Sequence, residues 1–192
     1  MDNNIEFSIA MPADIPGILA LQEKYLVTNL SAEQKKNGFV TTPFTVDQLT
    51  DIINQMGLFT AKDNNTIIAY AFAGSWQYFS QWPIFNAMTE RFPLLSFRDF
   101  TITTENSFQY GPVCIDEKYR GSGLLNKLFE LMRITLLKRY PLSITFINKI
   151  NPRSLKAHVG KLNWTVIDEF EFNNNNYFML AFDMKESVLN KA

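Results

Sequence analysis

The chain has 192 residues, of which 46% are hydrophobic and 19% are charged, and its formal net charge is −1. This length and apolar share exclude a disordered chain and predict one domain over residues 1–192, with a core that needs no disulfide or metal to fold. The near-neutral charge supplies no field that would attract a phosphate polymer, so we expect no nucleic-acid partner.

Cysteine and histidine are each present once, as Cys114 and His158. An internal disulfide and a two-thiol metal site are therefore excluded, and the lone histidine lacks the spacing of a zinc motif, so we predict no metal. The opening residues show no secretion signal, and no segment approaches the ~18 apolar residues of a membrane span. We expect a cytoplasmic protein without membrane association.

The first part of the chain predicts a strand, two helices and a hairpin. A short alternating strand over 6–10 precedes a proline-rich turn and a first helix with apolar residues at helical spacing. Thr45 and Gln48 have the spacing of a capping box and start a second helix, which Gly57 ends. Two strands, 58–62 and 66–75, flank a tight turn at Asp63-Asn64-Asn65.

The remainder is irregular from 76 to 107, with a short helix over 84–91, and then alternates strand and helix. Its predicted elements are a strand over 108–115, a helix over 123–139, a strand over 143–147, a helix over 154–162, and a closing hairpin of strands 165–172 and 177–183. In the long helix, Arg133 is expected on the polar face. This order predicts a mixed α+β fold.

A basic, glycine-bearing turn, Arg120-Gly121-Ser122-Gly123, lies between the strand at 108–115 and the long helix. Glycines let backbone N–H groups approach a phosphate, and the start of a helix adds unpaired N–H groups and a positive dipole end. The order therefore predicts an anion site, although an ordinary glycine turn capped by Ser122 has the same pattern. Both the dinucleotide fingerprint and the Walker loop are absent.

A second motif follows about thirty residues later, with Asn151, Ser154 and His158 in the spacing Asn-x-x-Ser-x-x-x-His, before Lys161-Leu162-Asn163-Trp164. Together with the glycine turn and the order of elements, this pattern resembles the GCN5-related N-acetyltransferase (GNAT) family. The resemblance implies a mixed, mostly antiparallel central sheet flanked by helices, with splayed central strands. It also implies acetyl-CoA as co-substrate.

Carried over by position, the resemblance implies a cofactor site made of two motifs. Backbone groups of the last strand residues would hold the pantetheine arm, namely Val113, Cys114 and Ile115. The pyrophosphate turn would comprise Arg120, Gly121, Ser122, Gly123, Leu124 and Leu125. Asn151 and Ser154 would lie near the pantetheine. The sequence departs from the family at Leu125, where a small residue is common, and at Asn163, which replaces a glycine.

Acetyl transfer to an amine needs a neutral amine and a proton for the departing thiolate. The resemblance implies that His158 lies near the thioester sulfur, and its ordinary pKa near ~6.5 makes it the candidate acid, although a lone helical histidine is also a common structural residue. Glu105 is the first choice of base, ahead of Asp99, Asp116, Glu169 and Glu171. Cys114 is expected to be a buried apolar side chain rather than a nucleophile.

The sequence therefore predicts an N-acetyltransferase that passes the acetyl group directly to a primary amine of a small molecule or a peptide. Two alternatives stay open: a non-catalytic CoA-binding regulatory module, and an α+β interaction domain whose aromatic 76–100 segment contacts a partner. A homodimer formed through the last strand edge is also left open.

Overall fold

The computed structural model describes residues 5–189. The strands in this range are β1 (Ile5–Ile9), β2 (Leu58–Asp63), β3 (Thr66–Gly74), β4 (Ser96–Phe97), β5 (Phe100–Thr101), β6 (Ser107–Ile115), β7 (Leu142–Asn148), β8 (Thr165–Phe172) and β9 (Asn175–Asp183). The α-helices are α1 (Ile15–Tyr25), α2 (Ala32–Lys35), α3 (Val46–Asn54), α4 (Trp76–Phe79), α5 (Pro83–Thr89), α6 (Leu124–Leu136) and α7 (Pro152–Lys156).

Seven strands form a sheet in the order β1-β2-β3-β6-β7-β9-β8, and β4 pairs with β5 separately. The pairing of β6 with β7 is parallel, whereas β1 with β2, β2 with β3, β7 with β9, and β8 with β9 are antiparallel. A parallel pair needs a crossover connection, and α6 lies in the connection between β6 and β7. The predicted mixed, mostly antiparallel sheet flanked by helices is confirmed.

The chain divides into two compact units. The first comprises residues 5–73 and 111–132, and the second comprises residues 74–110 and 133–189. In the first unit, fully buried residues of α1, α3 and β2 form the core, among them Ile18, Leu49, Ile52 and Phe59. In the second unit, the core includes Phe108, Ile144, Trp164 and Leu180. Each unit therefore contains its own apolar interior.

Local signals in the sequence correspond to the observed element ends. Thr45 Oγ1 accepts from the backbone N–H of Gln48 at 3.3 Å, and the Gln48 side chain accepts from Thr45 N at 3.0 Å, so the capping box is formed. The β2–β3 turn places Asn64 and Asn65 at φ 47° and 66°. Asparagine tolerates this left-handed region better than most side chains, which explains the short hairpin.

The segment from 76 to 107 is more ordered than its pattern indicated. It contains α4, α5, a 3-10 turn over Phe92–Leu94 and the small β4–β5 hairpin. Aromatic contacts hold these short elements: Trp76 meets Phe92 edge-on with centroids 4.8 Å apart, and Phe79 lies 4.6 Å from Phe85. The Trp76 indole also donates to Ser107 Oγ at 3.1 Å.

Arg133 differs from the prediction, because it is only 8% exposed. Its Nη1 donates to the Met184 carbonyl at 2.7 Å. A guanidinium tolerates burial when its N–H groups find acceptors, and the long apolar part of the arginine side chain packs like a hydrophobic side chain.

The described residues contain no helix with the length and apolar character needed to cross a bilayer.

Candidate functional site

The C-terminal part of β6 belongs to the first unit and alternates in burial. Cys114 is 3% exposed, while Val113 and Ile115 on either side are half-buried. Burial raises the pKa of the Cys114 thiol to about 12, so the sulfur is protonated at neutral pH. The chain then turns away where Asp116 N donates to the Ile68 carbonyl at 2.8 Å. This end of β6 therefore carries a buried thiol that is not a nucleophile at neutral pH.

The glycine turn lies between a 3-10 turn, Glu117–Tyr119, and helix α6. Gly121 and Gly123 have φ of +89° and +82°, a region that other residues rarely adopt. A Cβ built on either glycine meets no atom within 4 Å, so the space above both backbones is open. Ser122 Oγ donates to the Tyr119 carbonyl at 2.7 Å. The turn exposes its backbone beside the start of a 13-residue helix.

The Arg120 side chain is partly buried and bonds to two backbone carbonyls. Its Nε donates to the Ile115 carbonyl at 2.8 Å, and its Nη1 donates to the Asn37 carbonyl at 2.6 Å. The guanidinium carbon also lies 4.8 Å from the centre of the Tyr25 ring, within cation–π range. The resemblance includes Arg120 in the pyrophosphate turn, and these contacts favour a role in positioning that turn.

Further side-chain bonds fix the segment that precedes the turn. The Tyr119 hydroxyl donates to Asp63 Oδ2 at 2.6 Å, and Glu117 N donates to the Tyr25 hydroxyl at 2.8 Å. Lys24 Nζ lies 2.8 Å from Asp116 Oδ2, and this hydrogen bond raises the pKa of Lys24. The backbone that leads into the glycines is therefore tied to α1 and to the β2–β3 hairpin.

The second motif lies in the second unit, on α7 and the turn after it. Asn151 Oδ1 accepts from Ser154 N at 3.1 Å and caps the helix, and Pro152 fills its first position. The helix then widens into a π-helical turn over Ala157–Lys161 that contains His158. Such π turns occur disproportionately at functional sites. The His158 carbonyl accepts from Trp164 N at 3.1 Å and closes the turn.

The His158 imidazole is buried, with 7% exposure, and its orientation is fixed. Nδ1 lies 2.8 Å from the Ser154 carbonyl oxygen, which can only accept, so Nδ1 carries the hydrogen. The rings of Tyr110 and Trp164 meet it edge-on at centroid distances of 5.8 and 5.9 Å. Burial lowers the pKa of His158, although the bond to Ser154 opposes the shift. The imidazole is therefore neutral at pH 7.

The candidate bases occupy less favourable positions. Glu105 is exposed and accepts from the Thr104 hydroxyl at 2.7 Å, which lowers the pKa of Glu105. Two of the other candidates are engaged by cations: Asp116 with Lys24, and Glu169 with Lys149. Asp99 and Glu171 are exposed. Each of the five is thus either exposed or paired with a cation, and none is singled out as the base.

The predicted site residues fall into two sets, one in each unit. Residues 113–115 and 120–125 are brought together in the first unit, and Asn151, Ser154 and His158 in the second. Sequence reasoning missed the Ser154 carbonyl as the partner of His158, although their i, i+4 spacing is the signal that would have found it. Nothing in the sequence indicated that the Asn37 carbonyl would accept a hydrogen bond from Arg120. Among residues 5–189, no three His, Cys, Asp or Glu side chains gather as metal ligands would.

Comparison with solved structures relates the fold to N-acetyltransferases. An N-acetyltransferase from Staphylococcus aureus Mu50 aligns with a TM-score of 0.61 at 17% identity, covering 94% of this chain and 99% of that one. The Salmonella typhimurium protein yncA, solved with its cofactor acetyl-CoA, aligns with a TM-score of 0.62 at 14% identity, covering 95% of both chains.

A GNAT-family acetyltransferase from Streptococcus agalactiae 2603 aligns with a TM-score of 0.61 at 14% identity, covering 93% of this chain and 95% of that one. No protein-family model matches the chain, and no curated protein matches its sequence. At these identities the likeness establishes the GNAT fold.

Proposed function

We propose that this protein is an N-acetyltransferase that uses acetyl-CoA and transfers its acetyl group directly to a primary amine. The fold that it shares with solved N-acetyltransferases supports the proposal. The observation that carries it is the exposed turn with Gly121 and Gly123 at positive φ, directly before helix α6. A fold alone hosts many functions, whereas this turn is a specific anion-binding feature.

The residues of the turn fit the pyrophosphate of acetyl-CoA. Open space above Gly121 and Gly123 admits a phosphate close to the backbone, and the start of α6 adds N–H groups and a positive dipole end. In this proposal the contacts come from Gly121, Ser122, Gly123, Leu124 and Leu125, while Arg120 positions them. Val113, Cys114 and Ile115 contribute backbone groups to the pantetheine arm, in the manner of an added strand.

Asn151 and Ser154 are assigned to the pantetheine arm by the same resemblance. Asn151 Oδ1 already caps α7 through Ser154 N, so we assign its contact to the amide Nδ2. Ser154 contributes twice, because its carbonyl orients His158 and its hydroxyl lies on the same first turn of the helix.

Acetyl-CoA supplies the activated acyl group: the amine nitrogen attacks the thioester carbonyl carbon, the C–S bond breaks, and the thiolate takes a proton. Cys114 is unsuited to carry the acetyl group, because its thiol is buried and burial raises its pKa to about 12. Direct transfer, without a covalent enzyme intermediate, follows.

His158 begins the cycle as a neutral imidazole with its Nε2 lone pair available, because Nδ1 donates to Ser154. Any proton that His158 gives to the thiolate must first be taken from another group. We therefore assign His158 as the group that accepts the proton of the attacking amine and then passes it on. Glu105 is a weaker base than His158, since it is exposed and its pKa is lowered.

Isothermal calorimetry with acetyl-CoA tests the cofactor site. Gly123→Asp adds a side chain and a negative charge to the turn. Asn173→Asp is the control, because Asn173 is likewise an exposed turn residue with a positive φ of 47°, between β8 and β9. We expect wild-type protein and Asn173→Asp to bind, and Gly123→Asp to lose at least ~10-fold in affinity while it remains folded. Wild-type protein that does not bind acetyl-CoA would overturn the proposal.

Thiol release with a panel of primary amines tests the chemistry. We expect turnover with wild-type protein and a large loss of turnover in His158→Ala, with acetyl-CoA affinity much less changed. Binding of acetyl-CoA without thiol release from any amine would instead support a non-catalytic CoA-binding module.

A further inference from the structure

We infer that a groove in the second unit binds an organic cation with an apolar body, such as an arylalkyl ammonium ion. The groove lies between the segment that follows helix α5 and the strand β8. Its volume is about 490 Å³, within the ~300–1,000 Å³ of typical small-ligand sites. This inference concerns binding alone and does not depend on the proposed acetyl transfer.

The apolar surface of the groove includes Phe170, whose ring is held in place, and Leu94, whose side chain is exposed. Phe170 is 7% exposed and stacks on Tyr177, with ring centroids 5.2 Å apart and planes inclined by 21°. Leu94, on the facing wall, is 89% exposed, the highest exposure among the large apolar side chains of residues 5–189. Phe170, fixed by its stack on Tyr177, contributes the small part of its ring that stays exposed, and the uncovered Leu94 contributes most of the apolar surface that a ligand can contact.

The charges that line the groove are unbalanced towards the negative. Arg91 donates from Nε to Asp168 Oδ2 at 2.6 Å and from Nη2 to the Glu169 carbonyl at 3.3 Å, so it neutralises Asp168 and ties the two walls together. Glu90 and Glu171 also line the groove and have no ion-pair partner in the described part of the chain. Two carboxylates therefore remain beside the apolar surface.

The apolar surface and the two carboxylates together indicate which charge a ligand of the groove carries. A neutral apolar molecule would gain from Phe170 and Leu94 alone, whereas an anion would be repelled by Glu90 and Glu171. A cation with an apolar body makes both contacts, and the Arg91–Asp168 pair stays satisfied because the ligand need not displace it. We therefore assign the positively charged head to the Glu90 and Glu171 rim and the apolar body to the Leu94 and Phe170 walls.

Three probes test the assignment: 4-phenylbutylamine, 4-phenylbutanol and 4-phenylbutyrate. They share a phenyl group on a four-carbon chain and differ in whether the head group is positive, neutral or negative. Each is titrated into ¹⁵N-labelled full-length protein at low salt without acetyl-CoA, and amide shifts around Leu94 and Phe170 report binding. We expect the amine to bind about 5-fold more tightly than the alcohol, and the acid to bind more weakly than the alcohol. Equal affinities of the three probes, or shifts located elsewhere, would overturn the inference.

Variants separate the two parts of the groove. In the double variant Glu90→Gln and Glu171→Gln, the preference for the amine over the alcohol should disappear, and in Leu94→Ser both probes should weaken. Asp51→Asn and Ile150→Ser alter exposed side chains outside the groove and should change neither. A dimer in sedimentation that Leu94→Ser dissociates would mean that a second copy covers the groove, and it would overturn the small-ligand assignment.

Discussion

His158 Nδ1 lies 2.8 Å from the carbonyl oxygen of Ser154, one helical turn earlier, and this contact sets the tautomer of a buried imidazole. Because the carbonyl can only accept, the ring offers Nε2 as an acceptor and not as a donor while it is neutral. The tautomer of the His158 side chain is therefore set by the backbone carbonyl of Ser154.

Stability should decrease when the pH falls below the ordinary histidine value of 6.5, in part because of His158. Burial lowers its pKa in the folded state, so the unfolded chain binds the proton more readily between that lowered pKa and 6.5. We expect the melting temperature of the wild-type protein to fall further between pH 7 and pH 5 than that of His158→Gln. For a chain of this size, each kcal/mol of additional destabilisation lowers the melting temperature by about 2–4 °C. Carboxylates titrate in both proteins, so equal losses would contradict the assignment.

Arg120→Lys should weaken acetyl-CoA binding by about 10-fold although the charge is kept. Lysine cannot reproduce the two directed bonds to the Ile115 and Asn37 carbonyls, so the glycine turn loses its support. Calorimetry and thermal denaturation are compared, with Lys127→Arg on α6 as the control substitution. Wild-type affinity in Arg120→Lys would instead show that Arg120 acts as a charge on the phosphate.

Cys114→Ala should leave kcat within about 2-fold of the wild-type value, because direct transfer needs no thiol. The substitution removes a side chain that is 3% exposed, so we expect a loss of about 1 kcal/mol in unfolding free energy, measured by urea denaturation. A folded variant without turnover would point to an acetylated cysteine intermediate.

Asn163→Gly should be neutral or slightly stabilising, whereas Asn163→Val should cost about 1–2 kcal/mol. Asn163 is exposed and has φ +63°, so its substitution tests the backbone without disturbing the core. Thr165→Val, at an exposed residue of strand β8, is the control for a β-branched side chain in extended backbone. Equal unfolding free energies for Asn163→Val and the wild type would contradict a strained position.

Two departures from the family pattern have different outcomes. Asn163 stands where glycine is common in the family, and its φ of +63° lies in the left-handed region that glycine adopts readily. Leu125 stands where a small residue is common and lies in the first turn of α6. Sequence alone identified both positions, but only backbone geometry explains why the first is tolerated.

The sequence by itself determined the features that depend on near neighbours. The Thr45–Gln48 cap, the asparagine turn of the β2–β3 hairpin and the glycines before α6 each follow from local conformational preference, and each lies where predicted. The alternating strands and helices of residues 108–183 were readable for the same reason, because their apolar spacing is a local property.

Tertiary structure decided what depends on distant partners. The orientation of Arg120 depends on the Asn37 carbonyl, and the burial of Arg133 depends on the Met184 carbonyl. The order of residues 76–107 depends on aromatic contacts such as Phe85 with Phe146. The neutral state of His158 likewise requires its burial beside Tyr110 and Trp164. Desolvation and hydrogen bonds between residues far apart in sequence arise only when the chain is folded, so the spacing of residues along the sequence does not predict them.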